Sequence, residues 1–296
     1  MKTFLLLTMG GLLVPFLLPA AEVTAPGARL EKLTDACKFT EGPAADAPGN
    51  VYFTDQPNDR ILVWTTDQRL ETFLQPCGRS NGLFFDRDGN LLACADEKNE
   101  LWLIPLARRP RVLVRDFRGK LLNGPNDLWV RPDNGVYFTD PLYKRPWWKH
   151  RDPAGQQGGQ HVYFLSPDRR ALKPVATDLE QPNGIIGTPD GRTLYVADIH
   201  AKKTWAYTIQ PDGALTDKRL FCALGSDGMT VDDAGNVYLT GPGVTVFDAR
   251  GTQIQHLPVP ERWTANVCFG GPRRDELFIT ASTALYRIRM RTRGVY

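Results

Sequence analysis

A polar residue, a short apolar run, a glycine-containing turn and a second apolar run recur six times along this chain. No other feature constrains its fold as tightly. The copies read "TEGPAADAPGNVYFTD" from Thr40, "SNGLFFDRDGNLLACAD" from Ser80, "PNDLWVRPDNGVYFTDP" from Pro125, "PNGIIGTPDGRTLYVAD" from Pro182, "SDGMTVDDAGNVYLTG" from Ser226 and a worn "ANVCFGGPRRDELFITAS" from Ala265. Their second residues are Glu41, Asn81, Asn126, Asn183, Asp227 and Asn266, at spacings of 40, 45, 57, 44 and 39 residues. All six are polar acceptors and none is a lysine or arginine.

Two apolar runs around a tight-turn sequence such as Pro189-Asp190-Gly191 make a hairpin. Behind each hairpin lie two further strand-like runs, "RILVWTTD" and "LETFLQP" in the first copy, "ELWLIPL" and "RVLVRDF" in the second, "VTVFDAR" and "QIQHLPVP" in the fifth. Four strands per repeat of about 40 residues is the arithmetic of a β-propeller blade. The expected fold is therefore an all-β, six-bladed β-propeller over residues 28–296, with four antiparallel strands per blade. The last copy runs out of chain after three strands, while an orphan run ahead of Glu41, "RLEKLTDACKF", belongs to no repeat. That run is expected to supply the missing outer strand, closing the ring and shielding two sheet edges.

The chain of 296 residues is 42% hydrophobic, enough for a filled core, and its formal net charge of +3 gives no case for nucleic acid as a partner. Residues 1–21 carry Lys2, a short apolar stretch and Pro19-Ala20-Ala21, the layout of a secretory signal peptide cut near Ala20 or Ala21. The stretch is broken by Gly10-Gly11 and Pro15 and is short for a membrane span, so the expectation is an exported periplasmic or secreted protein without stable membrane insertion. Cys37, Cys77, Cys94, Cys222 and Cys268 show no CxxC pairing, and they read mainly as small buried apolar residues.

Rotation about a propeller axis brings equivalent residues of the innermost strands to one mouth of the central channel. The ring then gathers Glu41, Asp227 and four asparagines, all with oxygen donors, and two formal negative charges match a divalent cation. Oxygen ligation favours Ca²⁺, with Mg²⁺ or Mn²⁺ as alternatives. Zn²⁺ is disfavoured, since the four histidines show no HxxxH spacing and no cysteine occupies the ring position. The bland alternative is that ring residues hydrate the channel or stitch blades together. That reading is preferred for Asn81 and Asn266, and metal binding for Glu41, Asn126, Asn183 and Asp227. Asp127, beside Asn126, either orients the neighbouring asparagine or bonds from blade to blade.

In combination, "EGP", "NGPND", "PNG" and "SDGM" with "NVY" resemble the SMP-30/gluconolactonase family, over essentially the whole chain beyond residue 21. The resemblance implies a six-bladed propeller with a divalent cation at its axis. It implies Glu41, Asn183 and Asp227 as ligands, Asn126 as a substrate- and metal-proximal residue, and Asp227 doubling as acid/base. Some members carry an arginine two residues before the Asn126 position, where this chain has Gly124; Asn123 is the nearest polar substitute.

The expected activity is hydrolysis of a small-molecule sugar lactone, with the cation polarising the ester carbonyl and Asp227 moving the proton. A carboxylate touching the cation is a poorer base, which leaves open a cation-bound hydroxide or direct attack by Asp227. A phosphotriesterase on the same site and a non-catalytic binding propeller are the alternatives. No GxSxG, GxxxxGK[ST] or GxGxxG pattern suggests other machinery. The longest spacing leaves a surplus, "DPLYKRPWWKHRDPAGQQGGQ" over residues 140–160, on the mouth that bears the ring. It offers Tyr143, Lys144, Arg145, Trp147, Trp148 and His150 near the substrate, either as a lid or as an ordinary surface loop. Among these, Tyr143, Lys144 and Trp147 are the expected substrate contacts, with Asn126 and Asn123.

Overall fold

Each repeat becomes one four-stranded antiparallel sheet, and six such sheets stand in a ring. The computed structural model describes residues 22–148 and 155–296. The signal-like segment over 1–21 and His150 lie outside the described residues. From the axis outward, blade 1 is Thr40–Ala45, Val51–Asp55, Arg60–Trp64 and Leu70–Leu74. Blade 2 is Ser80–Phe85, Leu91–Ala95, Glu100–Ile104 and Arg111–Val114. Blade 3 is Leu128–Val130, Val136–Asp140, Gln160–Leu165 and Leu172–Leu179. Blade 4 is Pro182–Gly187, Thr193–Asp198, Lys203–Ile209 and Leu215–Cys222. Blade 5 is Met229–Val231, Val237–Gly241, Gly243–Phe247 and Gln253–Leu257.

Blade 6 takes Thr264–Gly270, Glu276–Ala281 and Ala284–Arg289 from the end of the chain and its outermost strand, Glu31–Thr34, from the beginning. The orphan run thus closes the ring as expected, with Glu31 opposite Arg287 and Lys32 opposite Tyr286. Thr24 bridges Met290, and Val23 lies in the core of this blade. Helical structure among the described residues amounts to two short 3₁₀ turns, Gln56–Asn58 and Asp96–Lys98. A small hairpin, Asp116–Phe117 with Lys120–Leu121, precedes blade 3.

The second strands are buried on both faces, as VYFTD is in blades 1 and 3, because each sheet is sandwiched between its neighbours. Their threonines carry the stitching between blades. Thr54 Oγ1 donates to the Asn81 carbonyl at 3.0 Å, Thr139 Oγ1 to the Asn183 carbonyl at 2.8 Å and Thr240 Oγ1 to the Ala265 carbonyl at 2.7 Å. The aspartates that end these strands hold the chain as it enters the innermost strand. Asp55 accepts from the Lys38 and Phe39 amides, Asp140 from Asn123 and Gly124, and Asp198 from Glu180 and Gln181. A buried carboxylate that accepts two backbone N–H groups is well satisfied, so these repeated aspartates are structural.

All five cysteines are buried and free. With desolvation as the main cause, the Cys37, Cys77 and Cys268 thiols are pushed up to about 12, which keeps them unreactive.

Because the closing strand comes from the other end of the sequence, its removal should cost more than its four residues suggest. A chain beginning at Ala36 leaves the edge of Ala284–Arg289 unpaired and uncovers part of the blade 6 core. Its thermal midpoint should fall by about 5–15 °C, whereas Arg287→Ala, which breaks the ion pairs with Glu31 and Glu276, should shift it by no more than about 3 °C. Thermal unfolding of both variants checks this.

Candidate functional site

The innermost strands approach so closely that the residue after the ring position has little room for a side chain. A Cβ on Gly42 would lie 2.1 Å from the Asn81 carbonyl oxygen, and one on Gly228 would lie 1.9 Å from Asn266 Cγ. Glycine at these positions lets the ring residues converge. Glu41, Asn81, Asn126 and Asp227 line one cavity of about 370 Å³ at the axis, together with Phe39, Tyr143, Arg145, Gln181, Ile199, His200 and Trp263. Asn183 is buried at its edge and joins the set through its amide nitrogen, which donates to Asp227 Oδ1 at 2.8 Å and to the Tyr143 hydroxyl at 2.7 Å.

Asp227 is gripped from its other side by the Trp263 indole, whose Nε1 donates to Oδ2 at 2.6 Å. Glu41 Oε2 accepts from the Gly42 amide at 2.6 Å and from Asn266 Nδ2 at 3.3 Å. The same Asn266 nitrogen lies 3.3 Å from Asp127 Oδ2, so one amide spans blades 1, 3 and 6. Asp127 Oδ1 accepts from its neighbour Leu128, so the Asp127 carboxylate is engaged across the channel and with its own backbone. Asn81 Nδ2 donates to the Asn126 carbonyl at 3.2 Å, a blade-to-blade bond.

Three acidic groups in one desolvated region resist ionisation together. Burial raises the Glu41 pKa well above the usual range, with Asp227 and Asp127 adding like-charge repulsion. Burial pushes Asp127 up to about 8, against the hydrogen bonds from Leu128 and Asn266. Burial also pushes Asp227 up to about 6, restrained by Trp263, Asn183 and the charge of Arg145.

The Asn126 and Asn183 side-chain oxygens are buried without a hydrogen-bond partner among the described residues. Orphaned acceptors beside two carboxylates are costly as they stand, and a cation would satisfy them. Among the described residues no three of His, Cys, Asp and Glu converge as a metal cluster. The available donors are two carboxylates and two amide oxygens, a hard, all-oxygen set that fits Ca²⁺, Mg²⁺ or Mn²⁺ better than Zn²⁺.

Of the residues expected from sequence to contact substrate, Asn126 and Tyr143 line this cavity. Lys144 is exposed and does not line it. Trp147 turns its Nε1 to Asp96 Oδ2 at 3.2 Å. Asn123 is buried behind the wall, its Nδ2 donating to the Asp140 and Gly159 carbonyls. Trp263, Gln181 and Phe39 escaped the sequence reading. The signal was positional: each lies two or three residues before a ring residue, on the segment entering an innermost strand.

Six antiparallel blades stand around a polar axis with acidic and amide oxygens gathered at one mouth. The family profile described as SMP-30/Gluconolactonase/LRE-like region matches residues 39–283, and the chain belongs to this family. It is 30% identical to a gluconolactonase of Zymomonas mobilis, over 90% of this chain and 82% of that protein. It is 25% identical to a pentonolactonase of Haloferax volcanii, over 83% and 82% of the two chains. Among solved structures, a gluconolactonase of Xanthomonas campestris superposes with a TM-score of 0.82 at 30% identity, covering 90% of this chain and 91% of that one.

The carboxyl shifts set a sign for stability. A folded-state pKa raised above the unfolded value gives a contribution that is complete below about pH 4 and is lost as pH rises through the folded value. Cation-free protein should therefore lose on the order of a few kcal/mol between pH 5 and 8.5, as Asp227 near 6 and then Asp127 near 8 are forced to ionise. Denaturant titrations in EDTA measure this, and Asp127→Asn should flatten the upper part of the profile.

Proposed function

We propose that this protein is a divalent-cation-dependent hydrolase of sugar lactones. The observation that carries the reading is the gathering of Glu41, Asp227 and Asn126 around one axial cavity, with Asn183 bonded to Asp227 at its edge and the two asparagine oxygens without a hydrogen-bond partner among the described residues, in a chain related to gluconolactonases. Those four side chains would hold the cation. A cation bound there supplies Lewis acidity for a lactone carbonyl.

In this reading Asp227 moves the proton. Burial raises Asp227 toward 6 in the cation-free site and a cation beside it would lower that value, so its proton-moving role rests on its position in the cavity. It accepts a proton from the attacking water as the new C–O bond forms at the carbonyl carbon. When the ring C–O bond breaks, it returns that proton to the departing alkoxide oxygen, so the net change is addition of one water to give the hydroxy acid. Trp263 fixes Asp227 Oδ2, and Asn183, itself held by the Tyr143 hydroxyl, fixes Oδ1. Such orientation limits the reorganisation needed during proton transfer. Phe39, Ile199 and Trp263 supply apolar walls that restrict bulk water at the cavity.

The test is a pH-stat assay of glucono-1,5-lactone, a pentonolactone and an aryl phosphotriester, with and without EDTA. Turnover of the sugar lactones that EDTA removes and Ca²⁺ restores is expected; hydrolysis of the phosphotriester alone would overturn the reading. Asp227→Asn should lower kcat by about 10²–10⁴-fold. Asn81→Ala, which loses a blade-to-blade bond, should retain most of its turnover.

Cation binding has its own readout. Protons and the cation compete for Glu41 and Asp227, so added Ca²⁺ should raise the thermal midpoint more at pH 8 than at pH 5. Glu41→Gln should lose most of that shift.

A further inference from the structure

The repeat contains an internal control that singles out one aspartate. In blades 1, 3 and 4 the aspartate ending the second strand accepts two backbone N–H groups from the segment entering its own innermost strand. Asp96 follows the second strand of blade 2 at the same place in the repeat. In that blade the capping duty has passed to Asp59, whose Oδ1 accepts from the Cys77 and Arg79 amides at 2.9 and 2.7 Å. Asp96 instead serves the loop after the second strand of blade 3. Its Oδ2 takes Trp147 Nε1 and lies 3.3 Å from Arg145 Nε, while its carbonyl takes Trp148 Nε1 at 2.8 Å. This buried carboxylate, which also accepts from Gln56 Nε2 at 3.5 Å, thus holds an arginine at the cavity wall.

Arg145 is held on several sides. Its guanidinium lies 5.0 Å from the Tyr143 ring centroid and 5.7 Å from that of Trp147, with Arg79 against Trp147 at 4.9 Å. Its Nη groups donate to no described residue, and it is the only lysine or arginine among the described residues lining the cavity. A forked pair of donors suits two neighbouring oxygens. The two candidates are an anionic group and a vicinal diol. Asp96 already offsets the charge of Arg145, as the cation would offset Glu41 and Asp227, so a bound anion would leave the site with an unbalanced negative charge. A neutral diol fills the two donors without disturbing that balance.

Building on the lactone-hydrolase reading, we propose that Arg145, positioned by Asp96, is the specificity-determining residue of this cavity, donating from its Nη groups to adjacent hydroxyls of a neutral polyhydroxylated lactone. The scissile carbonyl is handled elsewhere in the site, so Arg145 selects the substrate without taking part in bond making.

The test compares glucono-1,5-lactone with δ-valerolactone, which has the ring ester and no hydroxyls. Arg145→Met should lose about 10–100-fold in kcat/KM on the hydroxylated lactone, mostly through KM, and less than about threefold on the plain one. Asp96→Asn should show the same substrate-dependent split at smaller size, and Arg145→Lys should recover part of the loss. Equal losses on both lactones, or none on either, would overturn the proposal. Calorimetry with 1,5-anhydroglucitol, a ring polyol without a carbonyl, gives a readout free of hydrolysis. Wild type should bind it at least about tenfold more tightly than Arg145→Met, with thermal midpoints confirming that both are folded. Unchanged affinity would refute the role of Arg145. If wild type cleaves neither lactone, the hydrolase reading fails, and the calorimetric comparison still decides the arginine.

Discussion

Crowding of six innermost strands about one axis governs the rest of this molecule. Where Gly42 passes the Asn81 carbonyl and Gly228 passes the Asn266 amide, no Cβ can be accommodated without displacing backbone or a buried side chain. The residues just before those glycines are thereby pressed toward a shared centre. Such a centre cannot be filled with unpaired charge, because Glu41, Asp127 and Asp227 each lose hydration there and Glu41 is further raised by the other two. It is tolerated through a shared hydrogen-bond set, in which Asn266 serves Glu41 and Asp127 while Asn183 and Trp263 serve Asp227. The same crowding that closes the propeller concentrates acidic groups where a cation and a polar substrate can meet them.

The fold was legible because its information is repeated. Strand alternation, Asp-Gly turns and a constant polar first residue each recur, so a weak signal in one copy was reinforced by the others. The orphan run before Glu41 could be assigned because six blades of four strands left one vacancy, and Glu31–Thr34 fills it. The ring was legible for the same reason, since rotational equivalence converts spacing along the chain into proximity in space.

What the sequence concealed lies where the repeat is silent or deceptive. Trp263 sits on an entering segment with no fixed pattern, and only the folded chain brings its indole to Asp227. Asn123 reads as a plausible polar contact from its place before Gly124, yet its amide nitrogen is spent on the Asp140 and Gly159 carbonyls behind the cavity wall. Lys144 and Arg145 are neighbours of similar chemistry; the turn of the loop exposes the first and delivers the second to the cavity. Adjacent residues on an irregular segment point in directions that periodicity cannot supply. Asp96 is deceptive in the opposite sense, since its repeat position suggests the capping role that Asp55, Asp140 and Asp198 perform.

The axial polar groups also divide the channel. Below the site lies a second cavity of about 240 Å³, walled largely by apolar residues such as Leu83, Ile185, Met229 and Val267, with Tyr296 packed against Phe84. Asp127 and Asn266 line this lower space, whereas Glu41 and Asp227 line the upper one. The Asn266 amide, bonded upward to Glu41 and sideways to Asp127, is therefore part of the partition itself. Through that one amide the Glu41 carboxylate above and the Asp127 carboxylate at the partition are tied together, so the polar groups of the two cavities are not independent.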